Sequence, residues 1–527
     1  MPSRVGQVWG RKVVCGNIHL TPFRYDHYSL PMRRTAAAFS PLIAISRKLA
    51  RPLHRQIYDE FRSKIVGRTL SSGQPIPSTR ALAAELGISR IPVLNAYAQL
   101  LAEGYFESRV GAGTFVSRSM PEHATPAEKS RAVPSELDSG ARRVAKPALL
   151  LPPYKREPWV RHHGAFSVSQ PALDLFPFKA WGNLVARNSR NPLVRGLEYG
   201  DPMGLKQLRE VIAVYLRTSR AVRCEPQQIM IVSGSQQALD LSVRVLLNSG
   251  DPIWMEEPGY WLARHVLTAA GCRIVPVPVD TDGLDVAAGI KLCRSARAAL
   301  VAPSHQYPLG VTMSASRRLQ LLHWARQAGS WIIEDDYDSE YRFESKPIAS
   351  LQGLDDTSRV IYIGTFSKVL FPSLRVGYLV IPADLVDHFL ALRHAMDVSP
   401  PHLFQSVLAD FIAEGHFSRH IRRMRALYGE RRDVLVESLT RDFGSRLQVI
   451  GNMAGIHLTV TLPKGLDDVA IAKRAAQQSL WLWPLSPTYL SKLSHHGCIL
   501  GFGSTTAAEI PGAVRHLHTI LADAVAT

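Results

Sequence analysis

Between Leu53 and Ile65 the chain places a large apolar residue at every fourth position, Leu53, Ile57, Phe61 and Ile65, with polar and charged residues between them. This spacing stripes one face of a helix, because residues four apart lie one above the other along the axis. The pattern stops at the turn-rich run Ser71-Ser72-Gly73-Gln74-Pro75. Ser78 then stands at an N-cap position, Leu82 and Leu86 share a face, and Gly87 supplies the left-handed stop of a second helix about two turns long. Ser89 opens a third helix, in which Val93, Ala96, Tyr97, Leu100 and Leu101 form the apolar stripe while Arg90, Asn95 and Gln99 fall off it. Pro92 lies in that helix's first turn, where it is tolerated. Two helices joined by a short glycine-containing turn form a helix-turn-helix pattern, whose second helix can enter a DNA major groove about 12 Å wide. Phe106 to Val110 and Thr114 to Ser117 flank Gly111-Ala112-Gly113 and predict a three-residue β-hairpin.

From Ser117 to about Pro158 the periodicity fades into Pro, Ser, Ala and mixed charge, apart from Leu149-Leu150-Leu151, and predicts a linker. Beyond it, short β-branched runs alternate with helical patterns: Ile229 to Val232, Ile253 to Met255, Leu300 to Val301, Ile332 to Ile333, Val360 to Ile363 and Leu379 to Ile381. That alternation predicts an α/β fold with a largely parallel, helix-covered sheet. A helix-rich stretch from about Pro401 to Thr527 is expected to form a smaller domain closing over it.

Composition narrows the partners. A formal charge of +18 suits a phosphate-bearing partner, and no apolar run reaches the roughly 18 to 20 residues of a membrane span. The five cysteines, Cys15, Cys224, Cys272, Cys293 and Cys498, are scattered without metal-ligand spacing and suit reduced thiols in a cytoplasm. The first 34 residues hold six basic groups, one acidic group and no apolar core of a secretory signal, which predicts an N-terminal extension with Met32 as an alternative start.

The run Ile76-Pro77-Ser78-Thr79-Arg80-Ala81-Leu82-Ala83-Ala84-Glu85-Leu86-Gly87-Ile88-Ser89-Arg90, with Ala96-Tyr97, Leu100 to Tyr105 and Gly111 to Val116, resembles the GntR-type winged-helix signature. The remainder, from about Tyr199, resembles fold-type I aminotransferases as found in the MocR subfamily of GntR regulators. The resemblance implies a winged helix-turn-helix at 46–118, preceded by a basic extension at 1–45 and followed by a linker at 119–158. An aminotransferase-like domain that binds pyridoxal 5'-phosphate follows at 159–527, with a small subdomain at about 401–527. It also implies double-stranded operator DNA as a partner, touched by Arg80, Ser89, Arg90, Asn95, Arg109 and the wing glycines Gly111 and Gly113. Guanidinium forks suit phosphate oxygens and guanine edges. Ile91-Pro92 departs from the polar pair common in the family.

For the cofactor, the resemblance makes Lys368 in Gly364-Thr365-Phe366-Ser367-Lys368 the Schiff-base lysine, a role that requires a neutral amine. It places Asp335, in preference to Asp336, against the pyridine nitrogen, and Tyr337 near the ring hydroxyl. Ser235 and Gln236, at a helix start after a strand, together with Thr365 and Arg375, complete a phosphate shell. Tyr260 stacks on the ring and Tyr199 reaches across from a second subunit of a homodimer. Two departures matter. Tyr307, in Ser304-His305-Gln306-Tyr307-Pro308-Leu309-Gly310, stands where plain aminotransferases carry Asn, and the run His495 to Phe502 lacks the arginine that grips a substrate carboxylate. Arg422, Arg423, Arg425 or a histidine of the His495-His496 pair are the available substitutes. The expected function is a cytoplasmic regulator that senses the cofactor, or an amine or amino-acid effector, through an imine at Lys368. The rival readings are an active aminotransferase with an appended DNA-binding domain and a non-catalytic dimerisation scaffold.

Overall fold

The computed structural model describes residues 43–119, 144–154, 156–160, 164–190, 198–343, 348–491 and 493–526. Most of the N-terminal extension and the middle of the expected linker lie outside the described residues. The chain divides into two compact units, 1–142 and 143–527.

The first unit is built from α1 (Leu53–Val66), β1 (Pro75–Ile76), α2 (Thr79–Glu85), α3 (Arg90–Ala102), β2 (Phe106–Arg109) and β3 (Gly113–Val116). The striped residues Ile57, Phe61, Ile65, Leu82, Val93, Ala96, Tyr97 and Leu100 are all buried in one core. Phe61, Tyr97 and Phe106 meet edge to face at 5.2 to 5.6 Å and tie the helices to the hairpin. Leu101 is exposed, because it lies at the edge of the stripe, turned away from Val93, Ala96, Tyr97 and Leu100. Ser78 caps α2 by accepting a 3.2 Å bond from the Ala81 amide, and Gly87 adopts φ +62°. Ser89 occupies the N-cap position of α3, but its side chain makes no capping bond. Ser78→Ala is expected to cost about 1 kcal/mol in this unit, and Ser89→Ala measurably less, in urea unfolding of residues 43–119 followed by circular dichroism. The turn-rich run also holds a strand: β1 pairs antiparallel with β3, giving a three-stranded sheet in the order β1-β3-β2.

The second unit contains an eight-stranded sheet. Its strands are β4 (Ile229–Val232), β5 (Pro252–Glu257), β6 (Arg273–Asp280), β7 (Gly283–Leu284), β8 (Ala298–Val301), β9 (Trp331–Asp336), β10 (Val360–Thr365) and β11 (Gly377–Val380), ordered β4-β11-β10-β9-β8-β5-β6-β7. The central pairs are parallel, while β11 runs antiparallel to both neighbours. The strand β6 is absent from the pattern of β-branched runs; Pro276 and Pro278 interrupt its apolar alternation, and it lies next to the edge.

The C-terminal stretch is more than helices. β12 (Val449–Ile450), β13 (His457–Thr461), β14 (Trp483–Pro484) and β15 (Gly497–Gly501) form a second, antiparallel sheet in the order β12-β13-β15-β14. Phe166, far upstream, bridges to Gly501 of that sheet. The helix His402–Ala413 packs against the helices Phe178–Arg190 and Lys206–Arg220, so one apolar core runs across position 401. The expected linker also contains a helical turn, Lys146–Leu149. Among the described residues, no helix is long and apolar enough to cross a membrane.

Candidate functional site

Strands β4, β5, β8, β9 and β10 end at one rim of the large sheet, which is where open α/β sheets bind ligands. A cavity of about 350 Å³ opens there, in the range of small-molecule sites. Ser235, Gln236, Tyr260, Asp335, Tyr337, Thr365, Lys368 and Arg375 all line it. Tyr199 does not; it is 87% exposed elsewhere on the surface.

One wall is an anion cradle. Gly234 holds φ +94° ahead of the helix Ser235–Leu246, so the first amides of that helix point outward with its positive dipole end. A Cβ on Gly234 would come within 3.1 Å of the Arg375 guanidinium and would have to displace it slightly, while φ +94° already disfavours any other residue there. Arg375 donates a 2.6 Å bond to the Ser233 carbonyl.

Asp335 and Asp336 are neighbours on β9 and therefore point to opposite faces. Asp336 is committed to the fold: Arg220 reaches it at 2.7 Å and Tyr362 donates its hydroxyl to the same oxygen. Asp335 faces the cavity, and its buried Oδ1 has no hydrogen-bond partner. Burial, reinforced by Asp336 and Asp338, pushes its carboxyl up to about 7. Such an atom calls for a donor or a cation from outside the chain.

Lys368 follows β10, with its Nζ 3.4 Å from the Ser169 carbonyl. Burial drives its amine down to about 8, and Arg375 adds to the shift while the carboxylates of Asp338 and Asp335 oppose it. At pH 7 about a tenth of such an amine is neutral, against roughly 0.03% for an ordinary lysine. Because the folded value lies below the unfolded one, this group's stability contribution rises with pH between about 8 and the ordinary lysine value of 10.5. The apo protein's rate of aldehyde capture is expected to rise about ten-fold from pH 7 to pH 9 and then level off, as read by stopped-flow absorbance. A hundred-fold rise across the same interval would mean that the amine titrates like a free lysine.

Several contributors have no signature in the sequence. Val160, Val168, Ser169 and Gln170 line the cavity from far upstream. Glu256 on β5 lies at the wall, pushed up to about 8 by burial, and accepts from the Ala302 amide and the Gln306 side chain. Behind Tyr337 sits His305, a lone histidine along the chain but one member of a buried cluster in space. Its Nδ1 stands 3.0 Å from both Asp338 oxygens and 3.1 Å from the Tyr337 hydroxyl, and its ring lies 4.7 Å from that of His457. Asp338 and the Tyr337 hydroxyl thus face the same His305 ring nitrogen, and the tautomer decides which of them it bonds. The expected substitutes for a carboxylate-binding arginine are not at the cavity. Arg422, Arg423 and Arg425 lie on the exposed face of the helix His416–Phe443, His495 is exposed, and His496 is turned to Asp468 at 3.1 Å.

In the first unit, Arg80, Ser89, Arg90 and Asn95 are exposed along α2 and α3. Arg90 donates from Nε to the Thr79 hydroxyl at 3.0 Å, which braces one helix on the other. Ile91 is 67% exposed beside them, and Leu94, one turn on, is 41% exposed, so apolar groups interrupt this face. Gly111 and Gly113 take φ +75° and +103° and make the tight wing turn. Arg109 is half-buried, paired with Glu107 and laid over the Phe115 ring at 4.6 Å, so its charge is partly spent within the wing.

Comparison with known proteins joins the two units. The family described as bacterial regulatory proteins, gntR family, matches residues 53–116, and aminotransferase class I and II matches residues 172–499. The chain is 40% identical over 464 residues to the probable rhizopine catabolism regulatory protein MocR of Rhizobium meliloti, covering 88% of this chain and 92% of that one. This chain belongs to the MocR subfamily of GntR-type regulators. It is likewise 30% identical to the pyridoxine biosynthesis transcriptional regulator PdxR of Corynebacterium glutamicum, over 85% of this chain and 91% of that protein. Among solved structures, the α-aminoadipate aminotransferase LysN of Thermus thermophilus, complexed with N-(5'-phosphopyridoxyl)-L-leucine, superposes with a TM-score of 0.67 at 27% identity. The match covers 73% of this chain and 98% of LysN. This MocR-type protein is therefore a DNA-binding transcription regulator that carries a fold-type I aminotransferase domain.

Proposed function

We propose that this regulator binds pyridoxal 5'-phosphate in the 350 Å³ cavity and senses the cofactor, or an amine or amino-acid effector, through an imine at Lys368. The observation that carries the reading is a single cavity holding a lysine whose amine burial has lowered to about 8, a buried carboxylate oxygen without a partner and an anion cradle at a helix start. When bound, the cofactor supplies an electrophilic aldehyde and an electron-withdrawing ring. With the cofactor in the cavity, Lys368 would be the amine available to its aldehyde, Asp335 would accept from the ring nitrogen, Tyr337 would serve the ring hydroxyl and Tyr260 a ring face, and Ser235, Gln236, Thr365 and Arg375 would hold the phosphate.

Arg80, Ser89, Arg90, Asn95, Arg109 and the backbone at Gly111 and Gly113 contact operator DNA, which makes the cytoplasm the site of action. The protein works as a head-to-tail homodimer, with Tyr199 serving the partner's cavity. Its 87% exposure in a single chain fits that assignment. The segment 119–158 transmits the state of the cavity to the winged helix. Lys368 and Asp335 are also the pair a transaminase uses, so a second reading is residual transamination, and turnover of an amino donor with a keto acid tests it.

DNA contact is tested by fluorescence anisotropy on the gene's own upstream DNA across salt concentrations. Arg80→Ala is expected to lower the slope of log affinity against log salt by about 1 while leaving cofactor binding intact. An unchanged slope and affinity would remove Arg80 from the interface.

A further inference from the structure

Between Ile91 and Ala102 the helix α3 carries no Lys, Arg, Asp or Glu. Its inner side, Val93, Ala96, Tyr97 and Leu100, is buried in the core of the first unit. Its outer side is formed by Ile91, Leu94, Asn95, Ala98, Leu101 and Ala102, all exposed and spaced as one helical face. Asn95 is the one polar residue of that outer side. A solvent-facing helix surface is ordinarily polar or charged, so an apolar one marks a contact. Its two largest exposed groups in the first half of the helix are Ile91 and Leu94. In a helix-turn-helix that half of the second helix meets the base edges in the major groove. Two cations stand at the same end: Arg90 opens α3, and its Nε reaches Thr79, the neighbour of Arg80 on α2. An apolar protein surface would leave both unanswered, whereas DNA offers them phosphates and offers Ile91 and Leu94 methyl groups.

We infer that α3 selects A·T base pairs through thymine methyl groups, with Ile91 and Leu94 packed on C5-methyls in the major groove and Asn95 paired with a neighbouring adenine. The inference rests on the DNA-contact reading above and names the bases that are read. Thymine is the one base that presents a methyl in the major groove, and a carboxamide matches the N7 and N6 edge of adenine. At a G·C pair, Ile91 and Leu94 would cover the guanine acceptors and the cytosine amino group without returning a hydrogen bond. The side chains that favour A·T therefore also reject G·C. Arg90, the residue of this helix able to fork onto guanine, has its Nε tied to Thr79.

The test uses the full-length protein, with and without pyridoxal phosphate, on its gene's own upstream DNA. Footprinting locates the protected segment, and each thymine within it is then replaced in turn by uracil, which removes the methyl and keeps the base pair. Affinity is read by fluorescence anisotropy at fixed salt. Wild type is expected to lose about three- to five-fold at each contacted thymine, the worth of one buried methyl, and to be indifferent to uracil elsewhere. Ile91→Ala and Leu94→Ala should each bind thymine DNA more weakly and no longer distinguish uracil from thymine at the positions they contact. Asn95→Ala should weaken binding while leaving the pattern of methyl dependence in place. The wild-type scan decides the matter even if a variant fails to fold. A scan in which no uracil costs more than about two-fold overturns the inference, as does a methyl dependence that survives both alanine variants. Absence of any footprint, with no preference for the upstream DNA over unrelated DNA of equal length, would instead overturn the DNA-contact reading on which it rests.

Discussion

Lys368→Ala is expected to abolish the ~420 nm absorbance that wild-type protein acquires with pyridoxal phosphate, leaving a fold that melts normally. Among the described residues lining the site, Lys368 is the one amine that can form an imine with an aldehyde, and its burial has already moved it to about 8. What remains in the variant is the anion cradle of Gly234, Ser235 and Arg375, so phosphate-driven binding should persist in weakened form. Dialysis separates the two cases, since wild type retains colour and the variant releases the cofactor. Colour retained by folded Lys368→Ala would place the covalent link on another residue.

The second large effect separates two adjacent acids. Arg220→Ala is expected to destabilise the second unit by about 3 to 5 kcal/mol, because it strands the Asp336 carboxylate in a buried site where Arg220 and Tyr362 now hold it. Asp335→Asn should behave in the opposite way. The folded value of about 7 lies above that of an unfolded aspartate, so Asp335 contributes stability only at low pH and loses it as pH rises toward 7. Its replacement should therefore raise the apo melting temperature at pH 8 and leave it nearly unchanged at pH 4. The cost appears on loading: cofactor affinity should fall roughly 10- to 150-fold, the worth of a charged hydrogen bond of about 1.5–3 kcal/mol. Calorimetry of apo and loaded forms distinguishes the pair. If Asp335→Asn destabilises the apo protein and Arg220→Ala does not, the two acids have been assigned the wrong way round.

The contrast between these two acids shows what can be read along the chain. Short-range patterns carry their information well. The four-residue spacing of Ile57, Phe61 and Ile65, the cap at Ser78 and the glycine at position 87 are local devices, and each does in space what its spacing predicts. The choice of Asp335 comes from resemblance, while the reason for it, the opposite pointing of successive residues on β9, is visible only once Arg220 is seen to arrive from 116 positions away. Long-range pairings are not legible. Val168 and Ser169 enter the cavity because Phe166 bridges to Gly501, a contact between segments separated by most of the chain. Arg109 reads as a free wing cation until Glu107 and Phe115 are found beside it. The small antiparallel sheet escapes sequence reading because two of its four strands are only two residues long, too short to show alternation. The alternative arginines miss the cavity because a helix as long as His416–Phe443 presents Arg422, Arg423 and Arg425 to solvent while burying Ile421, Met424 and Tyr428.

If the state of Lys368 governs DNA binding, cofactor and operator must be thermodynamically coupled. The direct measurement is the affinity of full-length protein for its own upstream DNA, by fluorescence anisotropy at fixed salt, with and without pyridoxal phosphate. Wild type and Lys368→Ala are compared side by side. At least a ten-fold change in wild-type affinity is expected on loading, a coupling of about 1.4 kcal/mol, and none in the variant. Identical affinities for loaded and unloaded wild type, with the cofactor band present, would contradict control through Lys368 and leave the aminotransferase body a scaffold for the winged helix.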